Sequence, residues 1–171
     1  MRGLFTVVAA VLSSGLLATL VAFFFSSQLA ERNTRRQKLE ELYSIVHGQL
    51  ERLQRQVRYL DDIQKDPSKI NDAYQKMRAD NAWRTNANER VAILVAIYFP
   101  HLLPVREEMT LMGERVKDLF SGLRTAGNDL MGVIDEQRKF FDVMAASYTA
   151  FLFEVYITAK RVNRPLWKFW R

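Results

Sequence analysis

The sequence predicts an all-α protein: one N-terminal transmembrane helix that continues into an antiparallel bundle of four helices, with a possible fifth segment. Only 7 of the 171 residues are Gly and 4 are Pro, which argues against a β fold with many turns. The first thirty residues are almost free of charge, and the rest repeat apolar residues at helical spacing. The predicted domains are the anchor 1–30, the bundle 31–164 and an aromatic, basic tail 165–171.

The anchor is predicted from Leu4–Phe25, which is apolar or small almost throughout. At ~1.5 Å per residue this stretch reaches roughly 33 Å, enough to cross a hydrocarbon core of about 30 Å. The alternative is a cleaved signal peptide, whose apolar region would be about 7–15 residues. Gln28 and Ala30 would form a poor cleavage site for such a peptide. The segment therefore indicates an uncleaved, single-pass membrane anchor.

The charges that flank the anchor predict its orientation. Arg2 lies on one side, and four cations lie within eight residues of the other: Arg32, Arg35, Arg36 and Lys38. The positive-inside rule therefore puts the bundle in the cytoplasm and these four cations at the membrane interface. Since Arg2 alone could hold the N-terminus inside, a periplasmic sensor bundle stays open as an alternative.

Small residues recur every four positions along the anchor: Thr6, Ala10, Ser14, Ala18, Ala22 and Ser26. Such a stripe lets helix backbones approach closely in lipid, so we expect it to be a packing face of a homo-oligomer. The span holds no ionisable residue, which argues against a proton or ion relay within it.

The first helix of the bundle is predicted from apolar residues at seven-residue spacing: Leu39, Val46, Leu53 and Leu60. The residues four positions later would complete the same face: Tyr43, Leu50 and Val57. Asp66 and Pro67 then predict the end of one helix and the start of another. Asn86 and Glu89 have the spacing of a capping box, which predicts that the second helix restarts there.

Two further helices are predicted after the Pro100–Pro104 bend. The third repeats apolar residues at spacings of three and four: Val105, Met109, Met112, Val116, Leu119 and Leu123. A turn is expected at Gly127–Asn128. The fourth has an apolar face and ends before Pro165: Ile134, Phe141, Met144, Tyr148, Phe151, Leu152 and Val155. Asp142 and Glu154 argue against its being a membrane span.

Short connections make neighbouring helices antiparallel, so the C-terminus should return towards the bilayer. The tail combines aromatic rings with cations: Trp167, Lys168, Phe169, Trp170 and Arg171. Rings at headgroup depth and cations on anionic lipid suit an interfacial segment. The alternative is a tail packed against the bundle or a neighbouring subunit.

The sequence carries no recognisable catalytic or cofactor-binding motif. Without Cys it can form no disulfide and no thiolate metal site, and His47 and His101 belong to no HExxH pattern. We therefore expect no enzymatic activity, no metal and no cofactor. The net charge of +6 favours an anionic surface, a lipid bilayer explains the basic segments at least as well as nucleic acid does, and no nucleic-acid partner is expected.

The tripeptide Tyr98-Phe99-Pro100, at the predicted bend, resembles one found in small bacterial inner-membrane proteins with a single N-terminal span and a cytosolic helical bundle. Some of these proteins resemble membrane effectors of phage defence. The resemblance implies a self-associating protein that permeabilises the membrane or forms a pore. The alternative is a membrane-anchored scaffold or adaptor that binds a protein partner.

Overall fold

The computed structural model describes the backbone of residues 2–110, 123 and 129–163, and the side chains of these residues from Thr19 onward. These residues are helical, with no strand among them. The four helices are α1 (Arg2–Lys65), α2 (Ile70–Tyr98), α3 (described over residues 103–110) and α4 (Leu130–Val162), with 3-10 turns at Pro67–Lys69 and Pro100–Leu102. The all-helical fold class is confirmed.

The chain divides into two compact units, Met1–Gln37 and Lys38–Arg171, and α1 contributes to both. In the first unit the described apolar side chains are exposed, among them Leu20, Phe23 and Phe24. Most of the predicted packing face lies outside the described side chains: Thr6, Ala10, Ser14 and Ala18. Ala22 and Ser26 are exposed, so this face stays a prediction.

The predicted break at Asp66 is confirmed. The Asp66 side chain accepts hydrogen bonds from the Ser68 backbone N–H at 3.1 Å and from the Ser68 hydroxyl at 2.7 Å. Asp66 has an extended backbone, φ −146° and ψ 94°, and Pro67 supplies the fixed φ that suits a first helical position. The chain therefore leaves α1 and enters α2 through one capped turn.

The predicted restart at Asn86 is wrong, because α2 runs without interruption through the polar patch. The Thr85 hydroxyl donates to the carbonyl of Asn81, one turn earlier, at 3.3 Å. Asn88 accepts a hydrogen bond from Gln49 of α1 at 2.7 Å. The polar side chains of the patch pair within α2 or with α1 instead of capping a new helix.

The core of the second unit follows a spacing of three and four residues along two helices. On α1 the buried residues are Leu39, Leu42, Val46, Gln49, Leu53, Gln56, Leu60 and Ile63. On α4 they are Ile134, Gln137, Phe141, Met144, Tyr148, Phe151, Val155 and Thr158. The predicted seven-residue repeat of α1 is confirmed, but its partners on the buried face lie three residues later. Tyr43 is exposed, and Leu50 and Val57 are only partly buried.

Polar contacts join α1 to α2 and to α4 within the second unit. Pairs between α1 and α2 run in opposite order along the two helices: Glu41–Arg90 at 2.6 Å and Arg55–Asp80 at 3.3 Å. The α1–α4 pair Asp61–Arg138, at 2.5 Å, joins the end of α1 to the early part of α4. Further along α4, Tyr148 lines a cleft with residues 49–56 of α1. These contacts join residues 41 and 55 of α1 to residues 90 and 80 of α2, and residue 61 of α1 to residue 138 of α4.

Among the described residues, one helix is long and apolar enough to cross a membrane, and that helix is α4. The anchor predicted from the sequence is instead residues 1–30, and Asp142 and Glu154 were expected to exclude the last helix as a membrane span. α4 is apolar enough to be a candidate span because its long apolar stretch contains only two charged residues, Asp142 and Glu154. The core helix of a soluble protein passes the same test of length and composition. The side chains through residue 18, most of the predicted anchor, lie outside the described part.

Several further predictions fall partly or wholly outside the described residues. Of the third helix, Met109 and Leu123 are buried and Val105 is partly buried, whereas Met112, Val116 and Leu119 are not described. The Gly127–Asn128 turn and the tail 165–171 are also outside. The fourth helix ends before Pro165, as predicted.

Candidate functional site

Polar side chains occupy the middle of the helical core, where the three- and four-residue spacing leads one to expect apolar ones. We call this set the polar layer: Gln49 and Gln56 of α1, Asp80 and Arg84 of α2, and Tyr148 of α4. Gln49, Gln56 and Tyr148 lie at buried core positions, with exposed fractions of 2%, 2% and 1%. Apolar layers lie on both sides, so the polar layer is an interruption within a continuous core.

A cleft opens at the polar layer and encloses about 220 Å³ of empty space, open solvent at its mouth included. It is lined by the polar layer together with Arg52, Leu53 and Trp83. Most of this space is open solvent, and the enclosed part, between α1, α2 and α4, has room for about one water molecule.

The carboxylate of Asp80 attracts two arginines of α1. Its Oδ1 accepts a hydrogen bond from Arg55 at 3.3 Å and lies 3.6 Å from Nε of Arg52. The Arg52 guanidinium also lies 3.4 Å from the ring centroid of Trp83 and donates to the carbonyl of Gly48 at 3.2 Å. Because the Asp80 side chain is only 13% exposed, these ion pairs are shielded from solvent more than ordinary surface pairs.

Arg84 is largely buried and has a different set of partners. It donates to Oδ1 of Asn81 at 2.6 Å and is hydrogen-bonded to the side chain of Tyr148. Among the described residues, no carboxylate lies within ion-pairing distance of its guanidinium. Burial lowers the pKa of Arg84, against the opposing electrostatic effects of Tyr148 and Asp80. The cleft is therefore lined by two guanidinium groups, of Arg52 and Arg84, and by the Asp80 carboxylate, which pairs with Arg52 and Arg55.

Three buried oxygen atoms of the polar layer have no hydrogen-bond donor among the described residues: Oε1 of Gln49, Oε1 of Gln56 and Oδ2 of Asp80. The other end of the Gln49 amide is satisfied, since Nε2 donates to Asn88 at 2.7 Å. A buried acceptor without a donor costs about 1–3 kcal/mol. The polar layer therefore lowers the stability of the core at the same place where it concentrates positive charge.

The two histidines lie outside this cleft. His47 is exposed, stacks on Tyr43 with 5.7 Å between the rings, and lies 3.6 Å from Glu51. His101 contacts the Thr158 hydroxyl through Nε2 at 2.8 Å, which joins the turn after α2 to the end of α4. The described part of the chain holds no cluster of three His, Asp or Glu side chains that could bind a metal ion.

The structure describes four of the predicted membrane-interface residues. Arg35 pairs with Glu31 at 2.9 Å and Lys38 with Glu41 at 2.9 Å, while Arg32 and Arg36 have further interactions of their own. The remaining five lie outside the described residues: Trp167, Lys168, Phe169, Trp170 and Arg171.

The polar layer was not predicted from the sequence, although the spacing of two glutamines along α1 indicates it. Gln49 and Gln56 each lie three residues after an apolar residue of the seven-residue repeat, Val46 and Leu53.

No protein-family model, curated protein or solved structure matches this chain. Functional inference therefore depends on the residues themselves.

Proposed function

We propose that this chain is a membrane-anchored, self-associating helical-bundle protein without enzymatic activity. It acts at the bacterial inner membrane by changing how its helices assemble, and thereby permeabilises the bilayer. The observation that carries this proposal is the exposure of large apolar side chains on α1 before the first charged residues. Leu20 is 63% exposed, Phe23 73% and Phe24 60%. In water this surface would be unfavourable, so something apolar must cover it.

The directions of these side chains favour lipid as the cover. At about 100° per residue, the large apolar residues point around most of the helix circumference. They are Leu20, Val21, Phe23, Phe24, Phe25 and Leu29. A single docked protein helix would cover a stripe, whereas lipid covers every direction. The one wide gap in these directions is occupied by Ala22 and Ser26, which supports self-association along the small-residue face.

The flanking charge supports a cytoplasmic second unit. Arg32, Arg35 and Arg36 follow the apolar segment closely, and the positive-inside rule then places them on the cytoplasmic side. A reporter protein fused after Arg171 tests this orientation. We expect activity from a reporter that works in the cytoplasm and none from one that needs the periplasm; the reverse pattern would contradict the orientation.

The contacts within the second unit support an antiparallel four-helix bundle with α4 as a core helix. In such a bundle α4 runs antiparallel to α1 and parallel to α2. The pairs Arg84–Tyr148 and His101–Thr158 run in the same order along α2 and α4, as that arrangement requires. In that arrangement the end of α4 lies at the same end of the second unit as Leu39 of α1; the tail 165–171 lies outside the described residues, and its membrane contact stays a prediction from the sequence.

Dye entry into cells that overexpress the protein tests the proposed activity. We expect the wild-type chain to admit the dye. We expect Ala10→Leu, Ser14→Leu and Ala18→Leu, combined, to abolish entry, because bulky side chains block close approach of the helices. Ala9→Leu adds bulk of the same kind at a single position outside the small-residue face and serves as the control for Ala10→Leu alone. Exclusion of the dye by cells with the wild-type protein, at equal membrane levels, would refute the activity.

The second candidate function is a membrane-anchored scaffold that binds a protein partner. Ile93 and Ile97, one turn apart on α2, favour it, because they are 49% and 66% exposed. Copurification of a stoichiometric partner that is lost with Ile97→Ser, without any effect of overexpression on growth, would support this function over permeabilisation.

A further inference from the structure

We propose that the second units of neighbouring copies associate head to tail, with an exposed apolar patch on α2 of one copy against an exposed apolar patch on α4 of the next. The α2 patch is Ile93 and Ile97, and the α4 patch is Phe153 and Tyr156. All four side chains are between 49% and 66% exposed. This inference rests on the proposed self-association and names the surfaces of the second unit that carry it.

The two patches lie at the same height along the second unit. Arg84 of α2 is hydrogen-bonded to Tyr148 of α4. Further along both helices, His101 in the turn after α2 contacts the Thr158 hydroxyl of α4 at 2.8 Å. The α2 patch lies between these two contacts along α2, and the α4 patch lies between them along α4. A rotation about an axis along the helices therefore brings the α2 patch of one copy level with the α4 patch of another.

The two patches point to opposite sides of the second unit. Arg84 and Tyr148 meet in the interior, so they mark the inward directions of α2 and α4. At about 100° per residue, Ile93 points about 180° away from Arg84, and Phe153 points about 140° away from Tyr148. The two patches of one copy therefore cannot cover each other, whereas those of two copies can. Such a contact is heterologous, and it repeats from copy to copy into a closed ring or an open row.

The chemistry of the two patches suits a contact between helices. Residues 91–100 and 143–153 hold no charged side chain. On α4, Ala146 and Ala150 are exposed and precede Phe153 by about two turns and one turn. Their small side chains leave a groove beside the aromatic rings, into which the branched side chains of the α2 patch can pack.

The small size of the patches favours an occupant that is already held nearby. A stable interface between free proteins takes about 20–30 residues a side, whereas each patch offers two large apolar side chains and their neighbours. A soluble partner would dissociate readily from so small a surface. A second copy of this chain, confined to the same membrane by its own anchor, is present at a high effective concentration and needs less contact area.

Cysteine cross-linking of the full chain in membranes tests the contact, because the chain has no cysteine of its own. Asn86→Cys and Thr149→Cys place one thiol before each patch, at exposed positions of α2 and α4. With a flexible bis-maleimide, chains with either substitution alone should stay monomeric, whereas the two variants coexpressed should form a linked dimer. A chain with both substitutions should form a ladder of linked multimers. Dimers from either single variant, or no linked species from the pair, would overturn the head-to-tail contact.

A patch variant and a matched control show whether the ladder depends on the apolar surface. In the chain with both cysteines, Phe153→Ser should lower the linked fraction at least about tenfold, since it removes one large apolar side chain from the contact. Met131→Ser changes an exposed apolar residue of α4 outside the patch and should leave the ladder unchanged. Equal ladders in the two variants, or a stoichiometric protein partner in place of the ladder, would overturn the proposal.

Dye entry is measured on the same cells, so that the two proposals can fail separately. A ladder without dye entry would refute permeabilisation and support the head-to-tail contact. Dye entry without a ladder would refute the head-to-tail contact and leave permeabilisation supported.

Discussion

Two stretches of α1 use apolar residues in opposite ways. Over residues 20–29 the large apolar side chains point in most directions and are exposed to their surroundings. Over residues 39–63 the apolar side chains return every three or four residues, and those at the repeat positions are buried against other helices. One helix thus carries a surface suited to an apolar solvent and a surface suited to a protein core. The two stretches differ in the angular distribution of their apolar residues and also in their amount, which is seven of ten residues over 20–29 and eleven of twenty-five over 39–63.

The largest effect on stability is expected from a substitution that removes a buried side chain from the core. Phe151 of α4 is fully buried, and Phe153 on the same helix is 59% exposed. Phe151→Ala should lower the free energy of unfolding by about 3–5 kcal/mol, because it removes a buried ring and leaves a cavity. Chemical unfolding followed by circular dichroism measures this difference. Phe153→Ala is the matched control and should change stability by no more than about 0.5 kcal/mol; equal losses would contradict the described core.

A charged residue introduced into the exposed stretch, residues 20–29, should weaken its insertion into a membrane. Phe24→Arg should disfavour membrane insertion by up to about 2.5 kcal/mol, less than arginine costs at the centre of a transmembrane helix, because Phe24 lies near the end of the predicted span. Carbonate extraction of membranes should find this variant shifted from the pellet to the supernatant. Phe24→Leu preserves the apolar surface and should remain in the pellet. If both variants stayed in the pellet, residues 20–29 would not be the anchoring segment.

Within the core, Gln56 places a polar side chain in the otherwise largely apolar buried face of α1. Gln56→Leu should raise the free energy of unfolding by about 1–2 kcal/mol, because it removes an unpartnered buried acceptor. Gln54→Leu, at an exposed position of α1, should have an effect below about 0.5 kcal/mol. A loss of stability in Gln56→Leu would mean that the amide is satisfied in solution.

The smallest effect concerns Glu41, near the point where α1 enters the second unit. A hydrogen bond from Lys38, with a further one from Arg90, lowers the pKa of the Glu41 carboxyl. Its stabilising effect is therefore complete above the unfolded pKa of about 4.3 and is lost as pH falls through the lower folded value. The stability difference between the wild type and Glu41→Gln, below about 1 kcal/mol for this partly exposed pair, should vanish by acid titration. A difference that persists at low pH would indicate another cause.

Much of the fold could be predicted because its signals are local. The helix break at Asp66, the end of α4 and the seven-residue repeat of Leu39, Val46, Leu53 and Leu60 depend on neighbouring residues alone. The other half of the buried α1 face was missed, because Gln49 and Gln56 gave no apolar signal and Leu50 and Val57 did. Their burial depends on partners about 30 to 100 residues away in the sequence. The predicted helix restart at Asn86 was wrong for the same reason, because the Asn88 side chain accepts a hydrogen bond from α1.

The polar layer also bears on helix register. Apolar residues at seven-residue intervals would let α1 slide by one repeat with little change in its buried surface. With Gln49 and Gln56 in place, such a slide would move Gln56 into the apolar position of Ile63 and put Leu42 in the position of Gln49. The Gln56 amide would lose its polar neighbours, and an apolar group would take the place of Gln49 in the polar layer. We therefore expect the polar layer to specify a single alignment of α1 against α2 and α4, at a cost in stability.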